Sequence, residues 1–200
     1  MPRHDERPPG GTPPDGTAPG GTAPVGGSPA GTAPSAEECR DYYRRLTSGV
    51  AVVTARGPAG WSASTASTVT SVSLAPPVLL CCLSTGSETL AALRHSGRFA
   101  VHLLADHQSD IAERCARPPG GGSRLTDLRE EVRLVDGVPV IPGTLAVSWC
   151  DLYATTEVGD HVVVYGRLTS VRVGHGRPLL WHDRSFRALD VPAPTLATRL

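Results

Sequence analysis

Lysine does not occur in this 200-residue chain, so its 19 basic residues are all arginine, and 19 acidic residues balance them to a formal charge of zero. Without lysine there can be no P-loop, whose phosphate cradle needs that side chain, and no pyridoxal Schiff base. Asparagine is missing too, which excludes N-linked glycosylation, and the joint absence reads as GC-rich codon usage. Neither sign of charge is in excess, whereas a nucleic-acid groove or an anionic membrane surface needs clustered positive charge. The expected partners are small molecules or proteins, with no nucleic acid and no membrane. Five cysteines, at 39, 81, 82, 115 and 150, form no CxxC pair. Neither a disulfide framework nor a metal site is therefore expected. Long hydrophobic runs are lacking as well: the longest is Val78–Leu83, and the N-terminus is rich in proline and glycine where a leader would be apolar. A soluble, cytoplasmic protein is the expectation.

What is present divides the chain in two. Residues 1–35 hold 8 of the 22 glycines and 9 of the 19 prolines, and GTAP recurs at Gly16, Gly21 and Gly31. Such a segment has little apolar area to offset the entropy of ordering it, so 1–34 reads as a disordered tail, dispensable or a docking arm. Residues 35–190 are enough for one domain with a sizeable core, and 191–200 form a short C-terminal tail. Ser35-Ala36-Glu37-Glu38 has the spacing of a capping box and predicts a helix that Gly49 ends. Further helices are predicted over Ser87–Ser96 and His107–Ala116. Strands are predicted over Val50–Thr54, Trp61–Thr70, Val78–Leu83, Phe99–Leu104, Leu145–Ala154, His161–Val173 and Leu179–Trp181. Many strands, short turns and two or three peripheral helices predict a mostly β fold, an antiparallel sheet closing into a barrel. No GxGxxG leads from a strand into a helix, so a Rossmann site is not supported.

Three segments could carry chemistry. Ser62 to Thr68 is strand-like, with no side chain larger than threonine, so a flat heteroaromatic ring could approach its backbone; an ordinary Ser/Thr-rich strand reads the same way. Ser84-Thr85-Gly86-Ser87-Glu88-Thr89 lies between a buried strand and a helix, where amides and hydroxyls could cradle a phosphate, or Ser87 could simply cap its helix. Arg124 could add charge to that anion or be a surface arginine. Gly159-Asp160-His161 is a tight turn that puts an imidazole at a barrel rim, for substrate contact, proton transfer or structure alone. There is no GxSxG elbow, and nucleophilic catalysis has no local signature.

Taken in order, the segments Thr47–Thr54, Thr65–Pro77, Arg98–Leu104, Gly159-Asp160-His161 and Pro178-Leu179-Leu180 resemble the flavin reductase family over about residues 40–189. These are small NAD(P)H-dependent enzymes that supply reduced flavin to two-component monooxygenases. The resemblance implies an FMN-binding, Greek-key split β-barrel that forms a homodimer. It implies flavin, FMN or FAD, along Ala63, Ser64, Thr65, Ala66, Ser67 and Thr68. It implies the flavin phosphate near Ser84, Ser87, Thr89 and Arg124, and His161 as the catalytic residue beside the nicotinamide of NADH or NADPH. Four positions depart from the family pattern: Ala63 replaces a glycine, Ser67 an asparagine, Val69 a phenylalanine and Ala75 an acidic residue. An added methyl at 63 could crowd the ring. A flavin-presenting module without reductase activity is the alternative reading, and a structural barrel that binds no flavin is a third.

Overall fold

The computed structural model describes residues 33–117 and 132–189. The expected tails fall outside these residues, apart from 33 and 34, and so does Arg124. In chain order the elements are α1 (Ala36–Tyr43), β1 (Ser48–Gly49), β2 (Ala51–Gly57), β3 (Gly60–Ala66), β4 (Val69–Leu74), β5 (Pro77–Ser84), α2 (Glu88–Ser96), β6 (Arg98–Leu103) and α3 (Ser109–Cys115), followed by β7 (Arg133–Val135), β8 (Val138–Val140), β9 (Ala146–Val158), β10 (His161–Val173), β11 (Leu179–His182) and β12 (Ser185–Ala188).

The capping box forms. The Glu38 amide donates to Ser35 Oγ at 3.2 Å and the Ser35 amide to the Glu38 carboxylate at 2.8 Å. The helix does not continue to Gly49. It stops at Tyr43, because Ser48 and Gly49 pair with Trp181 and Leu180 of β11. The run Trp61–Thr70, expected as one strand, is two, broken at Ser67-Thr68.

That break shapes the molecule. Seven strands form one antiparallel sheet in the order β3-β2-β6-β9-β10-β5-β4, so β3 and β4, neighbours in sequence, lie at opposite edges. The steps from Ala66 to Val69 reach roughly 10 Å, whereas seven strands laid flat would span roughly 29 Å. The sheet has to curl until its edges approach, giving a split barrel. At the split β3 and β5 face each other without a ladder; the Cys82 amide donates to the Thr68 carbonyl at 3.3 Å, which extends the β4–β5 pairing into the link from β3.

Alternate residues of each strand fill the interior. Val53, Ala55, Cys81, Leu83, Phe99, Val101, Val162 and Val164 point inward, and Leu90 and Leu93 of α2 pack against them. Gly166 of β10 sits against the buried Phe99 ring: a Cβ there would lie 2.5 Å from Phe99 Cζ and 3.0 Å from Cys150 Cβ. We expect Gly166→Ala to cost roughly 1–3 kcal/mol through overpacking. A urea midpoint that does not move would show that the barrel repacks freely.

Two layers cover the outside. α3 and the β11–β12 hairpin bury Val50, Val52, Ala63, Leu104 and Ile111. The β7–β8 hairpin covers Ala100, Val147 and Trp149. The segment after β8 is tied down by the Ile141 amide, which donates to His102 Nε2 at 3.2 Å, and by Gln108 Nε2, which donates to the Pro142 carbonyl at 3.2 Å. Among the described residues no helix is long and apolar enough to cross a membrane.

Candidate functional site

β3 is an edge strand, paired with β2 on one side only. Its period of two sends Trp61, Ala63 and Thr65 toward the α3 layer and Ser62, Ser64 and Ala66 toward α2 and the barrel interior. The hydroxyls are engaged on both faces. Thr65 Oγ1 donates to the Ala112 carbonyl at 2.6 Å, and Ser64 Oγ donates to Thr89 Oγ1 at 2.9 Å. A serine has one hydroxyl proton, so Ser64, having given its own to Thr89, accepts from Ser87 Oγ at 3.1 Å. Thr89 and Ser62 complete the chain with oxygens 2.8 Å apart. Ser87 also caps α2, its oxygen accepting from the Leu90 amide at 3.4 Å.

Beside this wall, at the split, is a cavity of about 320 Å³. Ser64 and Thr65 of β3 line it, with Cys82, Leu83 and Ser84 of β5, the Gly86-Ser87 link into α2, the Cys115-Ala116-Arg117 end of α3, and His161. The β5–β10 ladder brings His161, the first residue of β10, opposite Ser84, the last of β5. The hairpin turn before it has Gly159 at φ 59°, a left-handed position that suits glycine. The Asp160 carbonyl accepts from the Thr85 amide at 3.0 Å and from Thr85 Oγ1 at 3.3 Å, which pins the β9–β10 turn to the loop leading into α2. The Asp160 carboxylate lies 2.8 Å from His161 Nδ1, and that hydrogen bond holds its carboxyl below the usual range. An ionised carboxylate only accepts, so Nδ1 carries the proton and Nε2 remains open to a ligand.

The structure therefore brings Ser64, Thr65, Ser84, Ser87 and His161 into one cavity wall. Ala63, Ala66 and Thr89 are buried behind it, and Ser67 and Thr68 stand exposed at the β3–β4 turn. Thr89, expected in a phosphate cradle, is fully buried with its hydroxyl taken by Ser62 and Ser64; it supports the wall and does not line it. The methyl group of Ala63 packs in the layer under α3 with Val52 and Ala112, where the core absorbs it. Arg117 is the cationic wall residue that sequence reading did not single out. Its place just past the end of α3, next to the cavity, is what the structure adds. Cys82 and Cys115 were also missed as wall residues.

Burial works against a nucleophilic role for the Cys82 thiol of the wall. Burial pushes the Cys82 thiol up, and behind it Cys81 rises to about 12 and Cys150 to about 11, chiefly through desolvation. Among the described residues no cluster of three or more His, Cys, Asp or Glu could hold a metal ion. The arrangement is a slot walled by small side chains, with one cation and one carboxylate-oriented imidazole at its rim. It can bind and align ligands.

A model of the flavin reductase-like domain matches residues 43–190. A probable flavin reductase of Rhizobium meliloti (strain 1021) is 37% identical over 132 residues, 66% of this chain and 42% of that protein, so this chain spans less than half of that relative's length. The actinorhodin polyketide dimerase of Streptomyces coelicolor is 36% identical over 156 residues, covering 75% of this chain and 84% of its own. Further relatives carry the name FMN reductase (NADH). Among solved structures, BorF, the flavin reductase component of a bacterial two-component tryptophan halogenase, superposes with a TM-score of 0.71 at 30% identity over 78% of this chain and 98% of its own. The domain match takes in every strand from β1 to β12 and both loops that build the cavity, and by it the chain belongs to the flavin reductase-like family.

Proposed function

We propose that this protein reduces flavin with hydride from NADH or NADPH and passes the reduced flavin to a partner monooxygenase. The observation that carries this reading is the cavity at the split, which joins the hydroxyl edge of β3 to the Asp160–His161 pair in a chain of this family.

The residues present fit a flavin. A planar ring needs a slot with small walls, and Ser64, Thr65, Gly86, Ser87 and Ala116 provide them. The Ser87 oxygen, with its proton turned to Ser64 and one lone pair given to the Leu90 amide, keeps a lone pair suited to a ring N–H or sugar hydroxyl donor. A phosphate needs a cation, and Arg117 is in the wall. To donate to an anion Ser87 would release Ser64 and turn its proton outward, and its cap of α2 would persist because that uses only a lone pair.

When bound, the flavin supplies a two-electron acceptor for the nicotinamide hydride. The chain's own residues bind, orient and exclude water. β3 and the Gly86-Ser87 link fix one ring, Asp160 fixes the His161 imidazole, and that imidazole positions the second ring against the first. A homodimer belongs to the same proposal. Val72 and Leu74 on the edge strand β4 are exposed, Leu74 at 92%, and on β10 Val171 and Val173 are exposed as well.

The test is anaerobic mixing of the purified protein with FMN or FAD and then with NADH or NADPH. Bleaching of the flavin absorbance with at least one donor is the expected result. Protein that binds flavin and never bleaches is a flavin-presenting module, and protein that binds neither flavin overturns both readings.

A further inference from the structure

Four hydroxyls tie the cavity wall to the start of α2, and one of them, Thr89, is fully buried behind the wall. Thr89 Oγ1 receives the Ser64 proton at 2.9 Å. A buried hydroxyl has to place its own proton as well, and the acceptor that the described residues offer it is Ser62 Oγ at 2.8 Å. Ser62 is half-buried, so its proton in turn can go to solvent. Ser64, having given its proton away, takes that of Ser87 at 3.1 Å. The protons therefore all run one way, from Ser87 through Ser64 and Thr89 to Ser62, and each bond polarises the next in the same sense.

The direction is fixed at the buried end. Serine hydroxyl protons rotate to suit their surroundings, whereas Thr89 is β-branched, stiff at χ1 and held in the first turn of α2. What it imposes reaches the cavity. With its proton committed to Ser64 and one lone pair on the Leu90 amide at 3.4 Å, Ser87 shows the cavity a lone pair. A ligand that accepts has to part Ser87 from Ser64 before Ser87 can donate to it.

We propose that Thr89 is a positioning residue that sets the hydrogen-bonding sense of the cavity wall, making Ser87 an acceptor that favours ligand N–H and O–H groups over anions. Thr89 acts through Ser64 and Ser87 and does not itself line the cavity. Without its oxygen, Ser64 can return its proton to Ser87, and Ser87 turns its own proton outward. The wall then changes from acceptor to donor while its shape stays the same. The inference rests on the flavin reading above and adds a division of labour to it: the hydroxyl wall selects neutral donor groups, and an anion is left to Arg117.

The test compares the full chain with Thr89→Val, which keeps the branched shape without the oxygen, and Thr89→Ser, which keeps the oxygen. Riboflavin and FMN differ only in the phosphate, and quenching of flavin fluorescence gives the Kd of each. A loss of folded protein weakens both ligands alike and cancels in the ratio of their affinities, so a merely structural role would not move that ratio. Thr89→Val is expected to weaken riboflavin and to raise the preference for FMN over riboflavin about tenfold, the scale of one hydrogen bond to a charged group, while Thr89→Ser keeps the original ratio. An unchanged ratio in Thr89→Val, or an equal shift in Thr89→Ser, overturns the proposal. Neutron diffraction from deuterium-exchanged crystals of the ligand-free original protein reads the chain without any flavin. The Ser87 deuteron should face Ser64 and the Ser64 deuteron Thr89; a Ser87 deuteron facing the cavity overturns the proposal even if neither variant folds. Failure of the original protein to bind either flavin strikes the flavin reading instead, and the deuteron positions then decide the role of Thr89 by themselves.

Discussion

Replacing His161 with alanine is expected to slow flavin reduction about a hundredfold while flavin affinity stays close to its original value. The imidazole is held from two directions. The β5–β10 register sets it opposite Ser84, and Asp160 fixes the ring through Nδ1 at 2.8 Å. Thr85 in turn holds the Asp160 backbone. Alanine removes the ring and leaves this scaffold and the β3 wall in place, so the loss falls on alignment of the hydride donor. Hydride transfer depends steeply on that alignment. Stopped-flow bleaching at matched flavin occupancy gives the rate, and equilibrium titration gives the affinity. Asp160→Asn should lose less than His161→Ala, because the amide oxygen can still accept from Nδ1 but no longer carries charge. A parallel fall in flavin affinity on His161→Ala would place the imidazole in the flavin wall and remove its assignment to the donor.

Acid should unfasten the outer layer through His102. This side chain is fully buried on β6, with Nδ1 3.1 Å from the Val52 carbonyl and Nε2 accepting from the Ile141 amide at 3.2 Å. The Ile141 bond requires the neutral ring with its proton on Nδ1, whereas the Nδ1–H bond to Val52 survives protonation, so acid costs the ring its Ile141 partner. Burial holds its pKa down to about 4, against an ordinary value of 6.5. The folded state thus resists a proton that the unfolded state accepts. The stability this contributes is fully present above pH 6.5 and is lost as the pH falls through the window toward 4, by an amount on the order of 3 kcal/mol. His102→Leu should lower the melting temperature at neutral pH, since it leaves the buried Ile141 amide unpaired at roughly 1–3 kcal/mol. It should also flatten the fall in stability between pH 6.5 and 4. Equal slopes for the two proteins would mean that other groups govern the acid response.

Local chemistry was legible in the sequence, and long-range pairing was not. The capping box at Ser35 is written in adjacent residues and formed where read, and the helix expected over Ser87–Ser96 formed as α2, Glu88–Ser96, capped by Ser87. β1 was invisible, because Ser48 and Gly49 become a strand only by pairing with residues about 130 positions away. The break at Ser67-Thr68 has no glycine or proline to mark it and is imposed by closure of the sheet. The β7–β8 hairpin did carry a signal: Asp136-Gly137, both at positive φ, sits between Val135 and Val138 in the pattern of a two-residue hairpin turn. In the site, the reading found Ser64, Ser87 and His161 as types in suitable places. The hydroxyl chain through Thr89 was hidden, since it links β3 to a helix some 25 residues further on.

The two-residue link between β3 and β4 works as a clasp. The walls of the cavity belong to opposite ends of one continuous sheet, and no ladder holds them together across the split. Their separation can therefore change by flexing the barrel, with every strand pair intact. The width of the opening is set by the length of the clasp on one side and by whatever bridges the gap on the other. Lengthening the link with inserted residues would slacken the aperture and leave the strand ladders whole. A ligand seated between β3 and β5 does the reverse, standing in for the missing ladder, so occupancy of the cavity and rigidity of the barrel rise together.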